Sequence, residues 1–180
     1  TFEEQRYGGY YSVEEITQVI NYADERGVEV IPEIDIPAHS LAFAHYKPEI
    51  ASRKYGMDHL DLYKKETYQF VDSLLDEYLS GDNPVFIGDL HIGTDEYNKK
   101  EAEQYRYFTD RYLKFVEKYG KNVRMWGGLK WLPGKTPVKA EGVTVNAWSY
   151  DWVDPVVSLQ DGYKLINTCD TYLYIVPAAG

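Results

Sequence analysis

Asp95 and Glu96 are adjacent carboxylates that follow an apolar stretch, Val85 to Ile92, across Gly93-Thr94. Two acids at the end of a buried strand are costly unless paired or hydrogen-bonded. Neighbours in a regular strand point to opposite faces, so both can serve one site only where the strand ends. Taken alone, such a dipeptide is more often a solvated loop or the acidic start of a helix. A second polar cluster, Pro32-Glu33-Ile34-Asp35-Ile36-Pro37-Ala38-His39-Ser40, closes another run rich in β-branched residues. Aromatic side chains, 16% of the chain with 18 Tyr and 4 Trp, suit stacking on sugar rings, although most are accounted for by core packing.

The elements that must position these residues are legible as an alternation. Ser12-Val13-Glu14-Glu15 reads as a capping box, followed by Ile16, Val19, Ile20 and Ala23 at helical spacing and by Gly27 as a stop. Val28 to Ile36 reads as a buried strand. The spacing predicts a helix over Lys65 to Leu79, burying Tyr68, Val71, Leu75 and Tyr78, then a strand over Val85 to Ile92. A third helix is expected over Ala102 to Tyr119, with Tyr105, Phe108, Tyr112, Phe115 and Tyr119 on one stripe. Val123 to Trp126, Val143 to Trp148 and Lys164 to Thr168 read as three more strands, with a short helix over Val153 to Leu159 that Pro155 interrupts early. Strands alternating with helices imply βαβ units and a parallel sheet. No G-x-G-x-x-G occurs, which argues against a dinucleotide fold. Polar and aromatic residues instead recur just after strands, where (β/α)8 barrels carry their sites.

Leu90-His91-Ile92-Gly93-Thr94-Asp95-Glu96 resembles the H-x-G-G-D-E signature of glycoside hydrolase family 20, the β-N-acetylhexosaminidases, and Pro32 to His39 resembles its P-E-I-D-x-P-G-H segment. Thr94 and Ala38 stand where glycine is usual. The order and separation of the two motifs suit consecutive barrel strands, and the resemblance covers nearly the whole chain. It implies a (β/α)8 TIM-barrel type α/β fold. With about five parallel strands, against the roughly 250 residues of a typical barrel, residues 1–180 read as a partial, incomplete catalytic barrel. A first-strand arginine and a final strand supplying Trp and Glu in the family have no counterpart here.

The resemblance further implies hydrolysis of terminal β-linked GlcNAc or GalNAc by substrate-assisted retaining catalysis, an exception to the two-carboxylate scheme. The substrate's acetamido oxygen attacks the anomeric carbon to give an oxazolinium ion. Glu96 would be general acid, then base; Asp95 would hold the acetamido N–H; His39 would hydrogen-bond near Glu96. Trp126 and Trp148 would wall the acetamido pocket, and Tyr172 would contact the acetamido oxygen. Tyr174 stands where many members carry an aspartate. His91 is expected beneath the acids, and Asp35 on backbone or an arginine behind the site. Trp131 and Trp152 are loop residues suited to outer subsites.

The remaining classes narrow by composition. A net charge of −10 without a Lys/Arg cluster makes nucleic acid an improbable partner and is compatible with neutral carbohydrate. No apolar run reaches the roughly 18 residues of a membrane span. Cys169 is the single cysteine, so no internal disulfide or cysteine-rich metal site is possible. The single cysteine says little about compartment, because many secreted bacterial enzymes also lack disulfides; an extracellular or cell-surface bacterial location is the expectation. His39, His45, His59 and His91 form no ligand pattern such as H-E-x-x-H, and the family mechanism needs no cofactor, so neither metal nor cofactor is expected. A non-catalytic carbohydrate-binding half-barrel, or a lacto-N-biosidase releasing a disaccharide, are the alternatives. Unpaired strand edges in a partial barrel would invite self-association.

Overall fold

The structure, a computed structural model, describes residues 9–81 and 84–175. In chain order the elements are α1 (Val13–Asp24), β1 (Glu33–Ile36), α2 (Leu41–Tyr46), β2 (Ala51–Ser52), β3 (Gly56–Leu60), α3 (Lys65–Leu79), β4 (Leu90–Gly93), α4 (Ala102–Glu117), β5 (Val123–Trp126), β6 (Val143–Ala147), α5 (Pro155–Gln160), β7 (Lys164–Asn167) and α6 (Asp170–Leu173). Five strands form one sheet in the order β1-β4-β5-β6-β7, every pair parallel. Helices return the chain between neighbours except from β5 to β6, which a loop joins, and the sheet is of TIM-barrel type. A two-stranded antiparallel hairpin, β2-β3, stands apart from it.

Local chemistry explains most boundaries. Ser12 and Glu15 form the capping box, each side chain accepting from the other's backbone N–H at 3.2 and 2.7 Å. Helix α5 starts at Pro155 rather than being interrupted by it. Pro155 sits in the first turn, where its missing N–H costs nothing, and the Asp154 carboxylate accepts from Val156 and Val157 N–H at 3.0 and 3.1 Å.

Two strands are shorter than expected. β1 begins only at Glu33, opposite His91 of β4, so Val28 to Pro32 makes no ladder despite its composition. Pro32 itself has no N–H to offer. The stretch before Leu90 is left out of β4 because β5 pairs it only from Leu90, opposite Val123.

The sheet has two unlike faces. Ile34, Ile36, Val123, Met125, Val143, Val145 and Ala147 are buried on the helix side, while the intervening Glu33, Asp35, Arg124, Trp126, Thr144 and Asn146 occupy the other, less buried face. Side chains alternate across a strand, so the apolar face binds the helices and the polar face is the one free to line a site. Tyr105, Phe108 and Tyr112 of α4 are fully buried against this layer. Each contributes roughly 1.5–3 kcal/mol by leaving water.

Candidate active site

The chain end of β1 delivers His39 and the chain end of β4 delivers Asp95 and Glu96. His39 Nε2 lies 3.0 Å from Glu96 Oε2 and 3.5 Å from Asp95 Oδ2. Asp95 is mostly buried (17% of its side chain exposed), whereas Glu96 is open to solvent at 48%. One carboxylate is thus embedded and the other presented, with an imidazole between them.

The backbone bends sharply to achieve this. His39, Thr94 and Glu96 have φ of +52°, +76° and +47°, a left-handed region uncommon for side chains other than glycine. Thr94 explains why glycine is usual there, and the structure shows what holds threonine in its place. It is fully buried, its hydroxyl meets the Trp126 carbonyl at 3.3 Å, and its carbonyl accepts from the Tyr105 hydroxyl. Ala38 needs no positive φ, so its departure from glycine carries no such strain. Gly93 cannot be replaced: a Cβ there would fall 1.8 Å from Asp35 Oδ1.

Asp35 meets the backbone at Thr94, one of the two kinds of partner expected for it. Among the described residues no arginine reaches it; the nearby acid is Asp95. Burial first, and then the charge and hydrogen bond of Asp95, push the Asp35 carboxyl up to about 8. Two carboxylates this close cannot both ionise cheaply, so Asp35 holds a proton beside Asp95 at neutral pH. Asp35, His39 and Asp95 each bring one ligand atom within 4.8 Å of the others, a spacing a cation could use.

His91 lies buried under the site. Its Nδ1 accepts from the Gly93 N–H at 3.1 Å, and burial lowers its pKa to about 4, so it is neutral. Its ring meets that of Trp126 at 4.8 Å, and the Trp126 indole N–H donates to Glu33 at 2.7 Å. Trp148 donates to the Gly127 carbonyl at 2.9 Å. Both tryptophans therefore stand at strand ends with fixed rings. Tyr172, on α6, is 74% exposed, and among the described residues its hydroxyl makes no hydrogen bond. Tyr174 is the nearer of the two to the acids: burial, then Asp170 and Asp95, raise its hydroxyl pKa.

A clamp outside the motifs joins the two catalytic loops. Glu101, nearly buried at the start of α4, accepts from Lys54 Nζ at 2.7 Å, from the Tyr55 hydroxyl at 2.6 Å and from the Tyr63 hydroxyl. These donors, the Lys54 ammonium first, bring its carboxyl down to about 2. Tyr97 adds a hydrogen bond to the Leu60 carbonyl at 2.7 Å. The hairpin is thereby fastened against the segment after Glu96, with Asp58 and His59 facing the same opening as His39 and Glu96. Sequence reading missed this clamp; an acid at a helix start carries no sign of partners 38 to 47 residues away.

Residues 1–178 match the family model for Glycosyl hydrolase family 20, catalytic domain. The chain is 42% identical over 103 residues to a Beta-hexosaminidase of Vibrio furnissii, covering 51% of this chain and 16% of that one. It is 26% identical over 185 residues to the Lacto-N-biosidase of Bifidobacterium bifidum, covering 88% and 16%. Among solved structures, a mutant Streptomyces plicatus beta-hexosaminidase in complex with its product GlcNAc aligns with a TM-score of 0.73 at 28% identity, covering 91% of this chain and 34% of that one. The chain spans about a sixth of the length of these two curated relatives. By the match across residues 1–178, the chain belongs to glycosyl hydrolase family 20.

Proposed function

We propose that this chain carries the acid/base machinery of a β-N-acetylhexosaminidase that removes terminal β-linked GlcNAc or GalNAc from oligosaccharides or glycoconjugates. The observation that supports it best is the His39 imidazole within 3.5 Å of both an embedded and a presented carboxylate. Glu96, the open one, protonates the departing oxygen and then activates water. Asp95, the embedded one, holds the acetamido N–H while that group's oxygen closes on the anomeric carbon, and its charge stabilises the oxazolinium. Asp35, by keeping its proton, hydrogen-bonds Asp95 without adding a second charge. Trp126 and Trp148 wall the acetamido pocket, and Tyr172 closes onto the acetamido oxygen. No cofactor enters these steps.

The test is hydrolysis of matched nitrophenyl glycosides by the full-length protein. The N-acetylglucosaminide should be cleaved and the glucoside, which lacks the internal nucleophile, should hardly react. Efficient glucoside cleavage would require an enzymic nucleophile and end this reading. The similarity to a lacto-N-biosidase over 88% of the chain supports disaccharide release as the second reading; a nitrophenyl lacto-N-bioside would separate the two.

Carbohydrate is the proposed partner, at an extracellular or cell-surface bacterial location. Among the described residues the outer edges of β1 and β7 have no strand partner, and no helix is long and apolar enough to cross a membrane. Self-association of the isolated chain through those edges is part of the proposal. Size-exclusion chromatography should show species larger than the 20.9 kDa monomer.

A further inference from the structure

A cavity of about 690 Å³ opens beside Glu96, lined by His39, Asp58, Lys99, Lys100, Trp131 and Trp152 among others. Glu96 lines it and Asp95 does not. Asp95 faces Asp35, on the side where the acetamido sugar would lie. The cavity is thus on the side to which Glu96 delivers its proton, where the leaving group sits. Its aromatic wall continues outward from the tryptophans already described: Trp148 meets Trp152 at 5.5 Å and Trp152 meets Trp131 at 5.0 Å between ring centroids.

The charges around it are balanced, unlike those of the molecule, with Lys99 and Lys100 set against Asp58 and Glu96. In a chain of net charge −10, two consecutive lysines stand at this opening, and among the described residues neither forms an ion pair. Lys99 Nζ is instead seated over the Trp131 ring at 4.6 Å, its ammonium held above the aromatic face but not neutralised. Of the two carboxylates that also line it, Glu96 is assigned to proton transfer and Asp58 lies 3.0 Å from His59 Nδ1, whose hydrogen bond lowers the Asp58 pKa.

We propose that this cavity is a leaving-group subsite that selects a sugar bearing an anionic group, such as a uronic acid. Trp152 and Trp131 receive the ring face while Lys99 and Lys100 face its carboxylate. The proposal rests on the reading of Glu96 as the proton donor to the leaving group.

The experiment compares N-acetylglucosaminyl-β-1,4-glucuronic acid with N-acetylglucosaminyl-β-1,4-glucose, which differ only at one carbon of the leaving sugar. In the full-length protein at low salt the acidic disaccharide should be favoured in kcat/KM by about five-fold, as expected for two exposed ion pairs. The preference should shrink at high ionic strength, where exposed charges are screened, and should fall toward one in a Lys99→Gln/Lys100→Gln double variant. A ratio that is unchanged in the double variant, or insensitive to salt, overturns the subsite. If neither disaccharide nor the nitrophenyl N-acetylglucosaminide is cleaved, the hexosaminidase reading fails. The subsite is then decided by tryptophan fluorescence titration with the same two disaccharides: lysine-dependent tighter binding of the acidic one upholds it, and equal binding overturns it.

Discussion

The corner built by the loops after β1 and β4 and the residues proposed as a wall, after β6 and β7, are fixed to different degrees. In the corner, His39 contacts both acids, Asp35 shares a proton with Asp95, Tyr105 holds the Thr94 carbonyl, and Glu101 ties the two loops together. At the wall, Trp148 is anchored by its indole N–H, but Tyr172 stands 74% exposed on a four-residue helix. Groups that move protons must keep their geometry before substrate arrives. A wall that only closes on substrate can be completed by it. Under the proposed function, the contrast is between a part that is pre-organised and a part left to be completed by substrate.

The largest effects should separate the two acids within the corner. Glu96→Gln should lose about 10²- to 10⁴-fold in kcat/KM on oligosaccharides, whose leaving group needs a proton, and far less on nitrophenyl glycosides. Asp95→Asn should lose about 10²- to 10³-fold on both, because every substrate uses the acetamido group. Leaving-group dependence at Asp95 instead of Glu96 would show the roles reversed.

The next effect is a pH limb. Asp35 has its carboxyl raised to about 8, so the folded state favours its protonated form. The sign follows: as pH climbs from the ordinary carboxylate range through about 8, the unfolded chain releases this proton more readily, and stability falls. Activity should decline on the same limb as a second negative charge appears beside Asp95. Asp35→Asn should flatten the alkaline side of the kcat/KM profile, and an unaltered limb would remove Asp35 from the corner's electrostatics.

The smallest effect sharpens the contrast at the wall. Tyr172→Phe should leave thermal stability unchanged, since so exposed a side chain buries little. It should cost about ten-fold or less in kcat/KM, the worth of one hydrogen bond made on closure. A larger loss in Tyr174→Phe would transfer that role to the tyrosine lying nearer Asp95.

What could be read from the residues follows the same division. Helix α3 runs from Lys65 to Leu79 as its spacing predicted, because burying Val71 and Leu75 on one stripe is a local, periodic requirement. Strand lengths were overread at Val28 and Val85, where β-branched and aromatic composition is present but no partner strand reaches. The acids and His39 stood out through two motifs of unusual specificity; the dipeptide alone resembles any helix start. Asp35 was expected on backbone, which it meets at Thr94, but its contact with Asp95 went unread because that acid is sixty residues later in the chain, and only the register of β1 on β4 brings them together. The hairpin and its clamp went unread because two strands of two and five residues carry almost no periodic signal.

The Glu101 clamp has a consequence for how the molecule meets acid. Its carboxyl titrates near 2 when folded, against 4.5 for an ordinary glutamate. The stability it contributes is complete above about pH 4.5 and drains away as pH falls toward 2. Its three donors come from a stretch that is also held by Tyr97 and Gln104 at the Leu60 and Leu62 carbonyls and by the burial of Ile50, Leu60 and Leu62. Protonating Glu101 is therefore expected to release Lys54, Tyr55 and Tyr63 first, while the attachments at Leu60 and Leu62 persist. In acid the site would come apart from its outer lip inward, so inactivation there would be a reversible local opening that precedes loss of the whole fold.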